Sequence, residues 1–242
     1  GFVGTAYICK VLSDKGYNDL AYRLLLNEDC PSWLYAVNMG ATTIWERWNS
    51  VLPDGKISDT GMNSLNHYAY GSVVEWMYRS IAGLNPTEKS PGFKEAIIAP
   101  KPDCRIKEAE MSYDSPMGIY KICWKIEDDG LFKLKIEIPF GARAELILPN
   151  AQKEPEILAS GVYEYSYLPS PPLIKTYGIS SPINELLQKK ECIDILSYFG
   201  IDANAIPAAL ADSTIVEIKH MPFISITDEK LKELDFELNR IK

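Results

Sequence analysis

The stretch GATTIWERWN, Gly40 to Asn49, sets one carboxylate, Glu46, between Trp45 and Arg47, with Trp48 close behind. These residue types could act on a sugar. A carboxylate serves as general acid, general base or nucleophile at a glycosidic bond, and burial beside indoles raises a carboxylate's pKa by desolvation. Indole faces suit the apolar C–H surface of a pyranose, whose hydroxyls take hydrogen bonds at the ring edge. The same spacing also fits a surface glutamate alternating with core tryptophans. Arg47 could hold a carboxylate or be a surface charge. A second cluster, SLNHYAYG (Ser64 to Gly71), offers Asn66 and His67 as partners for hydroxyls, or a satisfied core histidine at a helix start. CPSWLYAVNMGATT adds Trp33, Tyr35 and Asn38, which read equally well as aromatic core. Thr42 and Thr43 could cap a helix. Glu75, four residues before Arg79, has the spacing of a helical ion pair.

Bulk properties narrow the classes. At 242 residues, 46% hydrophobic and 24% charged, the chain is an ordinary globular sequence with room for a sizeable core. A net charge of −8 argues against nucleic acid and anionic membrane as partners, since both want basic patches. No apolar run approaches the ~20 residues of a membrane span, and no signal peptide is visible. Five widely spaced cysteines, with no C-x-x-C, and two histidines, His67 and His220, argue against a disulfide framework or a metal site. They are read as buried free thiols in a reducing compartment, which favours the cytoplasm. No cofactor is called for. GFVGT lacks the Lys and preceding strand of a phosphate loop, and no G-x-S-x-G occurs. The chain opens in the middle of an amphipathic pattern without Met, and is read as a piece of a longer protein.

The elements that must position these residues follow from periodicity. Residues 1 to about 90 predict helical hairpins. Val3, Tyr7, Ile8, Val11 and Leu12 recur at helical spacing up to Gly16, and Leu20, Leu24 and Leu25 make a second short helix. CPSWLYAVNMG reads as a loop, Thr42–Trp48 as a third helix, and Ser64–Ile81 as a fourth, with Tyr70, Val73, Val74, Met77 and Ile81 on its apolar face and Gly83 as its C′ residue. From 93 to 168 the period becomes two: Tyr120, Ile122, Trp124 and Ile126 alternate with lysines and Cys123, and Phe132, Leu134, Ile136 and Ile138 do the same. That pattern predicts an antiparallel β-sandwich, with Asp128-Asp129-Gly130 as a hairpin turn. PSPPLIKTYG (Pro169 to Gly178) reads as a linker. Beyond it Ser181 is expected to cap a helix carrying Ile183, Leu186, Leu187, Ile193, Leu196 and Phe199. A last helix opens at Thr227 and is lined by Leu231, Leu234, Leu238 and Ile241. No internal repeat is found.

Taken together, GFVGT, LSDKGYNDLAYRLL, PSWLYAVNMGATTIWERWNS, MNSLNHYAYGSVVEWMYRSIAGL and PGFKEAIIAPKP, in this order, resemble the C-terminal part of bacterial α-L-rhamnosidases over about residues 1 to 150. The resemblance implies a multidomain α and β architecture. The helical hairpins of a partial six-hairpin α/α barrel come first (1–92), then an antiparallel β-sandwich (93–170), to which the proline-rich break and the returning helical period add a linker and small helical tail (171–242). It implies an inverting glycosidase that removes terminal α-L-rhamnose from glycosides or polysaccharides, so the partner is a rhamnose-containing carbohydrate. Glu46 is the implied general base, and Trp45, Trp48, Asn66 and His67, with Trp33 and Tyr35, the implied sugar contacts. The family's general acid lies upstream of the part matched here. The expectation is therefore that this chain is inactive alone and self-associates through the truncated barrel face. A hydrolase of this type with another sugar specificity, a non-catalytic carbohydrate-binding module and a structural module are the competing readings.

Overall fold

The computed structural model describes residues 2–59, 61–222, 224 and 226–241. The chain divides into two compact units, Gly1–Leu173 and Ile174–Lys242. The first begins with three helices, α1 (Phe2–Asp14), α2 (Asn18–Leu26) and α3 (Trp33–Asn38). The third occupies the segment expected to be a loop. Ser32 caps it, its Oγ accepting the Tyr35 N–H at 2.9 Å. At its end Gly40, at φ +83°, and Ala41 return N–H groups to Val37 O and Ala36 O, a two-bond C-terminal stop that needs a left-handed residue.

The apolar spacing of α1 is present, but most of that face points outward. Val3 is 79% exposed, Tyr7 61% and Val11 53%, while Cys9 and Ser13 are buried. Inward packing instead runs through Ala21, Tyr22 and Leu25 of α2 and through Trp76. The Tyr22 and Trp76 rings meet edge to face at 5.3 Å, and Trp76 Nε1–H donates to Ser13 Oγ at 2.8 Å.

The fourth helix is shorter than expected and is not one regular helix. A 3-10 turn (Ala69–Ser72) leads into α4 (Val73–Trp76), which continues as a π-helical turn (Met77–Ile81) closed by Ala82 N–H to Met77 O. The π-turn breaks the 3.6 period. Before it, in α4, Val74 is exposed and Trp76 takes the buried position. Glu75 and Arg79 do pair, at 2.8 Å.

Eight strands follow: β1 (Leu84–Pro86), β2 (Glu95–Ile98), β3 (Glu108–Ser115), β4 (Gly118–Ile126), β5 (Phe132–Ile138), β6 (Arg143–Leu146), β7 (Glu156–Leu158) and β8 (Gly161–Tyr167). They form two four-stranded sheets, ordered β1-β2-β6-β7 and β3-β4-β5-β8. The sandwich expectation holds, with every expected inward residue of β4 and β5 buried. The one departure is β2 with β6, which pair in parallel because the chain makes three strands of the other sheet before returning. Gly130, at φ +88°, closes the expected β4–β5 turn.

The helices meet the sheet at Gly83. Its φ is +88°, and a Cβ there would lie 2.2 Å from the Pro100 nitrogen and 2.4 Å from the Ala99 carbonyl carbon. Ala99 N–H donates to Gly83 O and Lys101 N–H to Ser80 O, at 2.9 and 2.8 Å.

The second unit has its own core of Ile183, Leu186, Cys192, Leu196, Ile215, Ile218, Leu231, Leu234 and Leu238, with others. A short helix followed by a longer one occurs twice: α5 (Ile183–Leu186) with α6 (Lys190–Tyr198), and α7 (Ile215–Ile218) with α8 (Asp228–Leu238). Their openings pair at Pro182 and Thr214. Unequal connections hide this echo from the sequence. Ser181 does not cap α5, because its Oγ accepts the Gly178 N–H instead. Thr227 caps α8 and Thr214 forms a capping box with Glu217. All five cysteines are free, but only Cys9 and Cys192 are buried, and Cys30 and Cys123 are exposed.

Two outcomes follow. Gly83→Ala is expected to cost on the order of 3 kcal/mol or more in urea unfolding, because backbone atoms would have to move. Burial pushes the Cys9 thiol up to about 11. Since the thiolate is the nucleophile, iodoacetamide at pH 8 should label Cys30 in the folded protein and leave Cys9 unmodified, as peptide mapping would read.

Candidate active site

The residues Thr42–Trp48 form a loop where a helix was expected. Its main chain is committed to the other motif. Glu46 N–H donates to Ser64 O at 2.8 Å, and His67 N–H to Ile44 O at 2.8 Å. Thr43 Oγ1–H also donates to Leu65 O, so Thr43 caps nothing. These bonds lay GATTIWERW alongside NSLNHY, and they use the backbone of Ser64–His67 that a longer fourth helix would have needed. β-Branched Thr42, Thr43 and Ile44 suit an extended path better than a helix.

Glu46 is half-buried. Its Oε2 accepts the Ser64 N–H at 2.7 Å, so the same residue fixes both its main chain and its carboxylate. Among the described residues Oε1 has no hydrogen-bond partner. Arg47 donates from Nη2 to Gly61 O at 2.6 Å and from Nε to Met62 O at 3.1 Å, holding the following loop.

The tryptophans assemble as one cluster. Trp45 is buried. Trp48 stacks on Tyr70 with centroids 3.7 Å apart and planes at 12°, and meets Trp33 edge to face at 5.1 Å. Trp33 Nε1–H donates to Tyr70 O at 2.8 Å. Trp33, Trp45, Arg47, Trp48 and Tyr70 line an apolar cavity of about 280 Å³. Glu46, Tyr35, Asn66 and His67 do not line it. Tyr35 O–H donates to Val51 O at 2.9 Å, a structural tie. Asn66 is exposed. His67 Nδ1 accepts the Ala69 N–H at 3.3 Å, and its ring stacks on Tyr68 at 5.1 Å and 15°. Tyr68 is 87% exposed and was not anticipated. The only hint in the sequence was an aromatic ring next to His67. Tyr70 was expected as a helix-face residue and proves to be a wall of the cavity.

The arrangement combines a carboxylate with one oxygen fixed and one unbonded, a histidine with an exposed aromatic neighbour, and an aromatic hollow close by in the chain. That set can bind a sugar and polarise a water. Among the described residues no three His, Cys, Asp or Glu side chains group as a metal site.

Comparison with known proteins bears on this geometry. Residues 1–81 match the bacterial α-L-rhamnosidase six-hairpin glycosidase domain, and residues 83–160 match the bacterial α-L-rhamnosidase C-terminal domain. An α-L-rhamnosidase of Alteromonas sp. (strain LOR) is 40% identical over 181 residues, 69% of this chain and 19% of that protein. The crystal structure of native α-L-rhamnosidase from Aspergillus terreus superposes with a TM-score of 0.66 at 38% identity, over 69% of this chain and 19% of that one. That of Streptomyces avermitilis α-L-rhamnosidase complexed with L-rhamnose gives a TM-score of 0.63 at 36% identity, over 69% and 18%. The chain thus spans about a fifth of the length of these relatives.

Trp33→Phe keeps a ring against Trp48 and deletes the bond to Tyr70 O. It should cost about 0.5–1.5 kcal/mol in denaturant unfolding, whereas Trp48→Ala, which removes the stacked ring, should cost more.

Proposed function

Residues 1–160 belong to the bacterial α-L-rhamnosidase family, and on that premise we propose that they carry the water-activating half of an inverting α-L-rhamnosidase site. The observation that carries this reading is the carboxylate of Glu46, pinned through Oε2 by the Ser64 N–H beside the tryptophan cluster. Glu46 is the general base. Its Oε1 takes a proton from the water that attacks the anomeric carbon. Asn66 and His67 bond sugar hydroxyls, and Trp45 and Trp48 supply apolar surface. Trp33 and Tyr35 act by position, since the polar groups of both are bonded to main-chain carbonyls.

An inverting hydrolase needs a second carboxyl group, about 6.5–9.5 Å from the first, to protonate the leaving oxygen. No carboxylate lines the aromatic cavity. On the family premise the acid is supplied by polypeptide that packs against the helices, and the apolar face of α1, with Val3, Tyr7 and Val11, is where such a partner would bury surface. Alone, the 242 residues do not hydrolyse rhamnosides, and they associate through this face.

Three experiments test this. The chain alone should release no 4-nitrophenol from 4-nitrophenyl α-L-rhamnopyranoside, and should elute above monomer mass on gel filtration. An active, monodisperse monomer would refute both statements. Residues 1–160 grafted in place of the matching segment of the Streptomyces avermitilis protein should restore turnover, and Glu46→Gln in that graft should remove on the order of 10²–10⁴-fold of it. Sugar binding without hydrolysis in the graft would favour a non-catalytic carbohydrate module.

A further inference from the structure

A second pocket, of about 480 Å³, lies between α4 with its π-turn and the sandwich, and includes Tyr78, Arg79, Phe93 and Tyr113 in its wall. Its volume is in the range of small-molecule sites. It shares no lining residue with the tryptophan cavity. The geometry points to a binding site for a neutral pyranoside, distinct from the proposed Glu46 site and independent of whether Glu46 is catalytic.

Three observations carry this. The first is aromatic surface. Phe93 and Tyr113 lie 4.8 Å apart at 51°, and Tyr113 meets Tyr78 edge to face at 6.1 Å. All three rings retain exposure. Splayed rings of this kind offer faces to the C–H surface of a sugar.

The second is unused hydrogen-bonding capacity. Tyr120 and Tyr167 of the same sheet donate their hydroxyls to main-chain carbonyls. The hydroxyls of Tyr78 and Tyr113 bond no described residue. Arg79 gives only Nε to Glu75, at 2.8 Å. Its two terminal nitrogens bond no described residue, and a guanidinium presents such donors as a planar fork. Glu75 already balances the charge of Arg79, so the pair suits the vicinal hydroxyls of a neutral sugar better than the carboxylate of an acidic one.

The third is a strained backbone. Phe93 stands at φ +61°, a conformation that bulky residues avoid. It is fixed there by its N–H to Ser90 O at 3.3 Å and by Tyr120 O–H to its own carbonyl at 2.7 Å. Strain that neighbours hold in place is characteristic of ligand sites.

Calorimetric titration of the 242-residue chain with methyl α-L-rhamnopyranoside, methyl α-D-mannopyranoside and methyl β-D-glucopyranoside tests the assignment. No tryptophan lines this pocket, whereas three line the other. The expected result is binding of at least one probe without a change in tryptophan fluorescence. Arg79→Met and Tyr113→Leu should each weaken it at least tenfold, with an unchanged circular dichroism spectrum, and Glu46→Gln should leave it intact. No heat with any probe, or binding that survives both substitutions, would overturn the inference. Loss of rhamnoside hydrolysis on Glu46→Gln in the graft bears on the other site alone.

Discussion

The backbone contact between Gly83 and Pro100 admits no side chain, and the first unit is organised around it. Main-chain bonds on either side of it, Ala99 to Gly83 and Lys101 to Ser80, join the end of the helical region to the first sheet. Side chains then converge on the same seam. Lys101 O accepts Tyr22 O–H at 2.8 Å, Lys101 Nζ donates to Ser13 O at 3.1 Å, and buried Trp124 sends its indole N–H to Ile81 O at 2.8 Å. The bond from Trp124 is fully buried and satisfies an indole N–H that has no access to water, while the two at Lys101 are partly buried. The helices are therefore tied to the sandwich by paired polar groups as well as by apolar contact, and Tyr78 meets Tyr113 across the same junction.

The motif loops show a second kind of order. GATTIWERW and NSLNHY have no regular secondary structure over most of their length, yet two main-chain bonds and two side chains hold them in register. Ser64 holds Glu46 from both sides, so the carboxylate cannot turn without breaking a bond. A loop fixed in this way can place a reacting group as well as a helix can.

Much of the β region was legible because one face of each strand is buried. In β4 and β5 the alternation of Tyr120, Ile122, Trp124 and Ile126 with exposed partners is the burial pattern itself. The helical region was less legible. Helical spacing in α1 says that Val3, Tyr7 and Val11 share a face, but not that the face is covered, and here it is open. The site lay in the least legible part. Thr42–Trp48 looks helical by its apolar spacing, and it is the tertiary bonds to residues 64–67 that hold it otherwise. Two signals were present and unused: the β-branched run Thr42-Thr43-Ile44 disfavours a helix, and Gly40 sits where a helix over Trp33–Asn38 needs a left-handed stop. The cavity wall at Tyr70 and the exposed ring of Tyr68 depend on where that fourth helix begins, which periodicity alone does not specify.

The π-turn at Met77–Ile81 has a consequence for how this chain tolerates changes in length. Such a turn takes one residue more than an α-turn before its hydrogen bond closes. Deleting a single residue there would let the same bond close as an α-turn and keep the two halves nearly in their relative orientation, whereas deleting one from a regular α-helix would rotate them by about 100°. Tyr70, which stacks on Trp48, precedes that joint, and Arg79, which lines the second pocket, lies within it. The turn thus holds one residue in reserve, and a one-residue deletion within it would leave the two pockets in nearly the same relation as long as the side chains that line them were kept.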